Sequence, residues 1–466
     1  MMTSAWFPLR GLKPWQSLAR FPQAISPDTT SPILEEKCLT KAIIETLTNE
    51  ITGLSSRRDG SMAYTAMEKA FHNPAVDERE LYEKRFHSTD AIHIGIEVSG
   101  YPAFFLMTSD IYASALQIAR DDKEILRLEG SLPAKAIRQF AIKNLVDEIV
   151  ITNEIEGVNS TRKEIHDVLA GLEKKDKKRR YHGLVNKYLM LSTSDGAMIE
   201  TPEDVRAVYD ELVLDEILMD DKDNAPDGML FRKNPASIYT SAQKRIHDGI
   251  MPEDAIISLL GKSLEFLNDE NNCDILARIA AFHFLFGYIH PFYDGNGRTN
   301  RYISSHYLAS NYEAIIGYGL SCSIKKRLNE YYKGFSTCGG KLGMGDLTPF
   351  VALFCDIVAD ASSRIRGVLS SRKTDMDRYG EILNNTPWFG EDQYRLSLAW
   401  VLMQASLFSD GGASMEEITA SMGASRQTVY RRMGELAELG FVEKSRPSRE
   451  MLYSANLEVL EKMAND

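Results

Sequence analysis

Hydrophobic positions recur at helical spacing over most of this chain and alternate with polar ones in only a few short stretches. "AIHIGIEVSG" (91–100) alternates like a half-buried strand, and "YPAFFLMTS", after Gly100 and Pro102, continues it as a small sheet. From about 110 to 170 the period becomes helical. There "AIRQFAIKNLVDEIVITNEIEG" sets Ile137, Phe140, Ala141, Leu145, Ile149 and Ile151 near one face, and Gly157 stands where a helix ends or bends. "TPEDVRAVYDELV" opens a helix, with Thr201 as N-cap, Pro202 in the first helical position and acids in the first turn. Residues 221–240, "DKDNAPDGMLFRKNPASIYT", are loop-rich with β-prone pieces that predict a hairpin. Two helices follow, "MPEDAIISLLGKSLEFLN" and "NCDILARIAAFHFLFGYI"; the second is apolar nearly all round and therefore central. Helical patterning continues through 302–366.

Residues 371–393 read as a linker to a separate C-terminal unit over 394–466. In that unit "SMEEITASMGASRQTVYRRMGELAELGF" predicts helix, glycine turn and helix, and two short strands flank "RPSRE". The order resembles a winged helix-turn-helix module. Its second helix carries Arg426, Gln427, Thr428, Tyr430, Arg431 and Arg432, residue types suited to phosphates and base edges of duplex DNA. Glu435, Glu438, Glu443 and Glu450 dilute that charge, so a purely protein-binding module is the competing expectation.

Composition narrows the classes. A length of 466 residues suggests about three domains. A formal net charge of −12 argues against wholesale coating of nucleic acid or membrane. The basic run "EKKDKKRR" (173–180) reads as a solvated surface or, alternatively, as a partner-binding patch. Five cysteines (Cys38, Cys273, Cys322, Cys338, Cys355) form no CxxC pair, which points to free thiols in a reducing compartment and away from a zinc site. No segment is a candidate membrane span. The opening "MMTSAWFPLRGLKPWQSLARF" is broken by Pro8, Arg10, Lys13 and Pro14, so secretion is not expected and the cytoplasm is. The helical patch near 35–53 and the breaks at 22–33 suggest no role for residues 1–90.

One stretch does not fit a purely structural reading. "IHPFYDGNGRTNR" (289–301) crowds a histidine, a carboxylate, two glycines, an asparagine and two arginines between the central helix and the next. Gly295 and Gly297 let backbone N–H groups converge at a helix N-terminus, which favours an anion. Arg298 and Arg301 stand three apart and share a helix face. Asp294 beside such a site would repel phosphate unless a hard cation such as Mg²⁺ bridges them. A neutral His290 can take a proton from an attacking hydroxyl. Phe292 points back into the core and pins the loop. Base, metal ligand, anion cradle and arginines together describe phosphoryl-type transfer.

"HPFYDGNGR" followed by Arg301 is similar at every fixed position to the Fic motif, H-x-F-x-[DE]-G-N-G-R-x-x-R, and the resemblance extends over roughly 90–370, including "GDLTPF" (345–350). It implies a mainly α fold: an N-terminal extension over 91–200, a helical Fic core over 201–370 with a small β-hairpin flap, and the C-terminal winged-helix domain. It further implies transfer of AMP from ATP, with Mg²⁺, to a Ser, Thr or Tyr hydroxyl of a protein, which includes the chain itself as a possible target. On that reading His290 deprotonates the hydroxyl and Asp294 holds Mg²⁺. Gly295, Asn296, Gly297 and Arg298 cradle phosphates, and Arg301 reaches the γ-phosphate. Ser237, Ile238 and Tyr239 form the flap edge that aligns the target, and Tyr331 and Tyr332 flank the adenine. Gly339 departs from the pattern, since relatives often have asparagine there. "TNEIEG" (152–157) resembles the family's inhibitory signature, so Glu156, assisted by Thr152, is expected to occupy Arg301 in cis. In some relatives the same glutamate positions a water that removes AMP, and Fic cores often self-associate. Competing readings are a DNA-binding regulator whose core senses nucleotide, and transfer of UMP or a terminal phosphate.

Overall fold

A computed structural model of the chain describes residues 64–172, 180–192, 198–239, 245–446 and 450–465. The expected breaks at 22–33, the helical patch near 35–53 and the basic run, apart from Arg180, lie outside these residues. The described fold is mainly helical, with small antiparallel sheets.

Two short helices, α1 (Met67–Phe71) and α2 (Glu78–Phe86), precede the expected hairpin of β1 (Ala91–Val98) and β2 (Tyr101–Leu106). Its alternation is real: Ile94, Ile96 and Val98 are buried while their neighbours are not. Helix α3 (Ser109–Ser131) starts on the Thr108 side chain, which accepts from the Ile111 N–H. Helix α4 (Ala134–Ile155) is followed by α5 (Arg162–Gly171), opened by a capping box of Thr161 and Glu164, and by α6 (His182–Met190). The Thr201 start predicted for α7 (Pro202–Tyr209) is present, with Asp204 completing the box. A π-helical turn at Asp210–Leu214 joins α7 to α8 (Asp215–Asp220). Of the hairpin expected within 221–240 only the first strand falls there: β3 (Ser237–Tyr239) pairs with β4 (Arg245–Asp248), which lies beyond it.

Helices α9 (Glu253–Asn268) and α10 (Ile275–Ile289) pack on each other, and nearly every residue of α10 is buried, as a helix apolar all round must be. Then follow α11 (Asn296–Asn311), α12 (Leu320–Lys326), α13 (Leu328–Gly339) and α14 (Thr348–Asn385). The connection read at 371–393 requires a correction. Helix α14 runs unbroken to Asn385 because Met376, Tyr379 and Leu383 are buried. Gly380 lets the helix over Gln393–Phe408 approach closely, since a Cβ there would lie 2.3 Å from the Trp400 ring.

The C-terminal part comprises α15 (Pro387–Gly390), α16 (Gln393–Phe408), β5 (Ala413–Ser414), α17 (Met415–Met422), α18 (Arg426–Glu438), β6 (Val442–Ser445), β7 (Leu452–Ala455) and α19 (Leu457–Asn465). Its strands form an antiparallel sheet ordered β5-β7-β6. Gly423, at φ +57°, supplies the left-handed turn between α17 and α18. The four described cysteines are free, and no described helix is long and apolar enough to cross a membrane.

This part rests against α4 and α5. Lys135 Nζ donates to Glu417 O (3.1 Å) and Ser421 Oγ (2.6 Å). Asp410 Oδ2 receives Arg162 Nη2 at 2.7 Å and lies 2.7 Å from His166 Nε2. Burial works against the Asp410 charge, but the hydrogen bonds from His166 and Arg162 outweigh it and hold the carboxyl at about 2. The folded value lies below the ordinary 3.8, so this stabilisation is present at neutral pH and is lost as pH falls through that window toward 2. Asp410→Asn is therefore expected to weaken the contact by ~1 kcal/mol at pH 7. Amide exchange in α17 should accelerate, and the gap from wild type should narrow below the ordinary carboxylate pKa.

Candidate active site

Helix α10 ends where its cap, His290, adopts the left-handed region at φ +53°. A non-glycine residue rarely holds that conformation without support. Support comes from Arg232, a fully buried guanidinium that donates from Nε to His290 O (2.8 Å) and from Nη2 to Ile250 O (2.9 Å). Pro291 O accepts from the Arg232 N–H as well, so the segment leading into β3 and the one leaving β4 are both tied to the end of α10. Phe292 is fully buried and stacks on Tyr209 with ring centroids 3.6 Å apart, which pins the loop as expected.

Gly295, at φ +78°, caps α11, and a Cβ there would come within 3.1 Å of Ile217, Val213 and Tyr209. Only glycine meets both demands. The Asn296 amide is fixed by Phe292: its Oδ1 accepts from Phe292 N (2.9 Å) and its Nδ2 donates to Phe292 O (2.8 Å). The same Nδ2 lies 3.0 Å from His290 Nε2. With the amide so oriented, Nε2 is the accepting nitrogen of the imidazole.

Arg301 is fully buried; Tyr331 bonds to it from one side, and three further contacts come from one helix end. Its Nε donates to Thr152 Oγ1 (2.8 Å), Nη2 to Thr152 O (3.0 Å) and Nη1 to Glu156 Oε1 (2.8 Å). Burial acts against the guanidinium charge, but Glu156 and the neighbouring phenols more than offset it and raise the pKa. The Glu156 carboxylate also presses on the first turn of α11, where a Cβ on Gly297 would lie 2.0 Å from Oε1. It thus occupies the positive end of that helix as well as its arginine.

A cavity of about 190 Å³ opens beside this pair. It gathers Glu156, His290, Asn296, Gly297, Arg301, Tyr331 and Tyr332, all singled out from the sequence. Tyr331 donates to or accepts from His283 Nε2 at 2.7 Å, and His283, fully buried, is kept neutral by a pKa pushed well below its ordinary value.

Other expected residues stand elsewhere. Arg298 does not line the cavity; it is buried and bonded to Glu216 Oε1 at 2.7 Å, because an unpaired charge there would be costly. Asp294 sits outside the cavity lining, with its side chain 43% exposed and 3.6 Å from Arg298. Ser237, Ile238 and Tyr239 form the strand expected of a flap edge, paired on one side to β4. On α18, Arg426, Gln427 and Arg431 are exposed, whereas Arg432 is turned inward to Asp392 (2.9 Å) and Glu435 (3.0 Å).

Sequence reasoning missed Arg232, Glu216, His283 and Asn300, which lines the cavity and donates from Nδ2 to His283 O at 2.8 Å. Each depends on a partner distant in the chain, and only the Arg232 stretch, already read as a hairpin, carried any local signal. Thr152→Ala should cost ~1–3 kcal/mol, since it strands a buried guanidinium N–H. Thr152→Ser, which keeps the hydroxyl, should cost far less; denaturant unfolding of the two variants measures the difference.

The model of the Fic/DOC family matches residues 200–308. Among solved structures, the chain is similar to a Fic family protein from Desulfovibrio desulfuricans, with 20% identity, a TM-score of 0.46 and coverage of 75% of this chain and 97% of that one. It is also similar to a Fic domain containing signalling protein from Bacteroides thetaiotaomicron (14% identity, TM-score 0.40, 55% of this chain and 97% of that one). A third is Fic-1 from C. elegans (19% identity, TM-score 0.38, 56% of this chain and 74% of that one). Residues 200–308, which hold the histidine, the glycine loop and both arginines, are a Fic/DOC domain.

Proposed function

We propose that this protein is an adenylyltransferase that moves AMP from ATP to a hydroxyl of a protein, restrained in cis by Glu156. The observation that carries the reading is the Glu156 carboxylate on Arg301 and on the first turn of α11, in a cavity shared with His290. A site that holds a carboxylate oxygen this way suits a phosphate oxygen equally.

On this reading the target hydroxyl takes the place of Asn296 Nδ2 at His290 Nε2 and gives its proton there while its oxygen bonds to the α-phosphorus. The bond from that phosphorus to the bridging oxygen breaks, and pyrophosphate leaves. Backbone N–H groups of the first turn of α11 and the Arg301 guanidinium bind the phosphate chain. Among the described residues no cluster could hold a metal without the substrate, so Asp294 would contribute one carboxylate and the nucleotide the remaining oxygens. Magnesium bound there would supply charge neutralisation. The β3 edge would align the target backbone by strand addition.

Glu156 competes with the γ-phosphate for Arg301, so ATP binds misplaced or not at all while the pair persists. Glu156→Gly should raise self-modification at least ~10-fold, as misalignment of a reacting group costs that much or more. The test is incubation with Mg²⁺ and ATP labelled at the α- or the γ-phosphate. Label from the α position alone, abolished by His290→Ala, is expected. Label from γ would support phosphotransfer, and none from either would support a nucleotide sensor.

For the C-terminal part, the exposed Arg426, Gln427 and Arg431 on one face of α18 favour a winged-helix contact with duplex DNA. Binding that weakens with salt, with the slope reduced by about 1 in Arg431→Ala, is expected. Salt-insensitive behaviour would leave protein contact as its role.

A further inference from the structure

We propose that Ser99, at the turn of the β1–β2 hairpin, is a positioning residue for the base end of the nucleotide cavity. The inference rests on the nucleotide reading above and extends it to a segment outside residues 200–308.

The cavity follows one face of α13, from Tyr331 beside Arg301 to Gly339. The eight steps from Tyr331 to Gly339 rise ~12 Å, about the reach from a terminal phosphate to the base of an extended nucleoside triphosphate. With the phosphates at Arg301, the base falls between Tyr288 and Gly339; Tyr331, bonded to that arginine, then stands at the phosphate end and not beside the adenine as the family resemblance implies. Gly339 is not required by its backbone or by crowding: a Cβ there would meet Tyr288 and Phe284 at 3.6 and 3.9 Å, ordinary contact. The missing side chain leaves this end shaped by the Tyr288 ring and the α13 backbone.

Ser99 holds both of those walls from behind. Its N–H donates to Tyr288 Oη at 2.9 Å, and its Oγ donates to Gly339 O at 2.6 Å. The serine pays for this with a left-handed backbone, φ +53°, next to Gly100 at φ +84°. A turn selected only for reversal would place glycine or asparagine at such a position. The strained residue is the one carrying the hydroxyl that reaches α13. The last carbonyls of a helix lack intrahelical donors, so the Ser99 hydroxyl fixes a group that would otherwise move.

Ser99→Gly separates positioning from folding. Glycine relieves the left-handed strain and keeps the N–H to Tyr288, so thermal stability should be unchanged or higher, while the bond to Gly339 is lost. In the Glu156→Gly background, calorimetry should show Kd for ATP rising about fivefold, the fold-change expected for one hydrogen bond. Kd for inorganic tripolyphosphate, which has no base, should not change. Equal weakening of both ligands, or no change in either, overturns the proposal while leaving the transferase reading intact. Failure of the Glu156→Gly parent to bind ATP at all overturns the nucleotide reading and this inference with it.

Discussion

A guanidinium buried as completely as that of Arg301 would cost several kcal/mol if left unpaired, and the packing around it follows from meeting that demand. Besides Tyr331, the partners are the hydroxyl and carbonyl of Thr152 in the last turn of α4 and the carboxylate of its cap, Glu156. Satisfying one arginine therefore fixes where α4 ends against α11. It also delivers a negative charge to the positive end of α11. A ligand that displaces Glu156 must replace that charge, which is why a polyanion, and not a neutral molecule, is the natural competitor.

The same economy recurs behind the site. Glu148, one turn before Thr152, is buried and accepts from the Ser321 N–H and hydroxyl at the start of α12. Burial raises its carboxyl to about 7, with the Ser321 bonds only partly opposing. Arg298 with Glu216 and Arg232 with the backbone of the His290 loop are further buried charges, each paired with a distant segment. Such groups hold one arrangement of the loop, and so His290 keeps an unusual backbone without a glycine.

Helix α4 carries a second burden. Its start is hydrogen-bonded to α17 through Lys135, and α5, which follows Glu156, is tied to Asp410. The helix that occupies the candidate anion site is thus also the bearing surface of the C-terminal part.

Local pattern was enough for the elements and for the 290–301 cluster, because capping residues, apolar period and a contiguous loop are all encoded within a few residues of one another. The 371–393 segment misled because its apolar positions, Met376, Tyr379 and Leu383, are sparse and their partners lie elsewhere. In α4 the polar residues Asn144, Glu148 and Thr152 repeat every four positions like a solvent face, yet they are buried. The burial of Glu148 and Thr152 depends on Ser321 and Arg301, more than 140 residues away, and no period can reveal it. The chain by itself determined which residues could do chemistry. The tertiary structure alone decided which of them share a cavity, because a buried charge takes its partner from whichever segment packs against it.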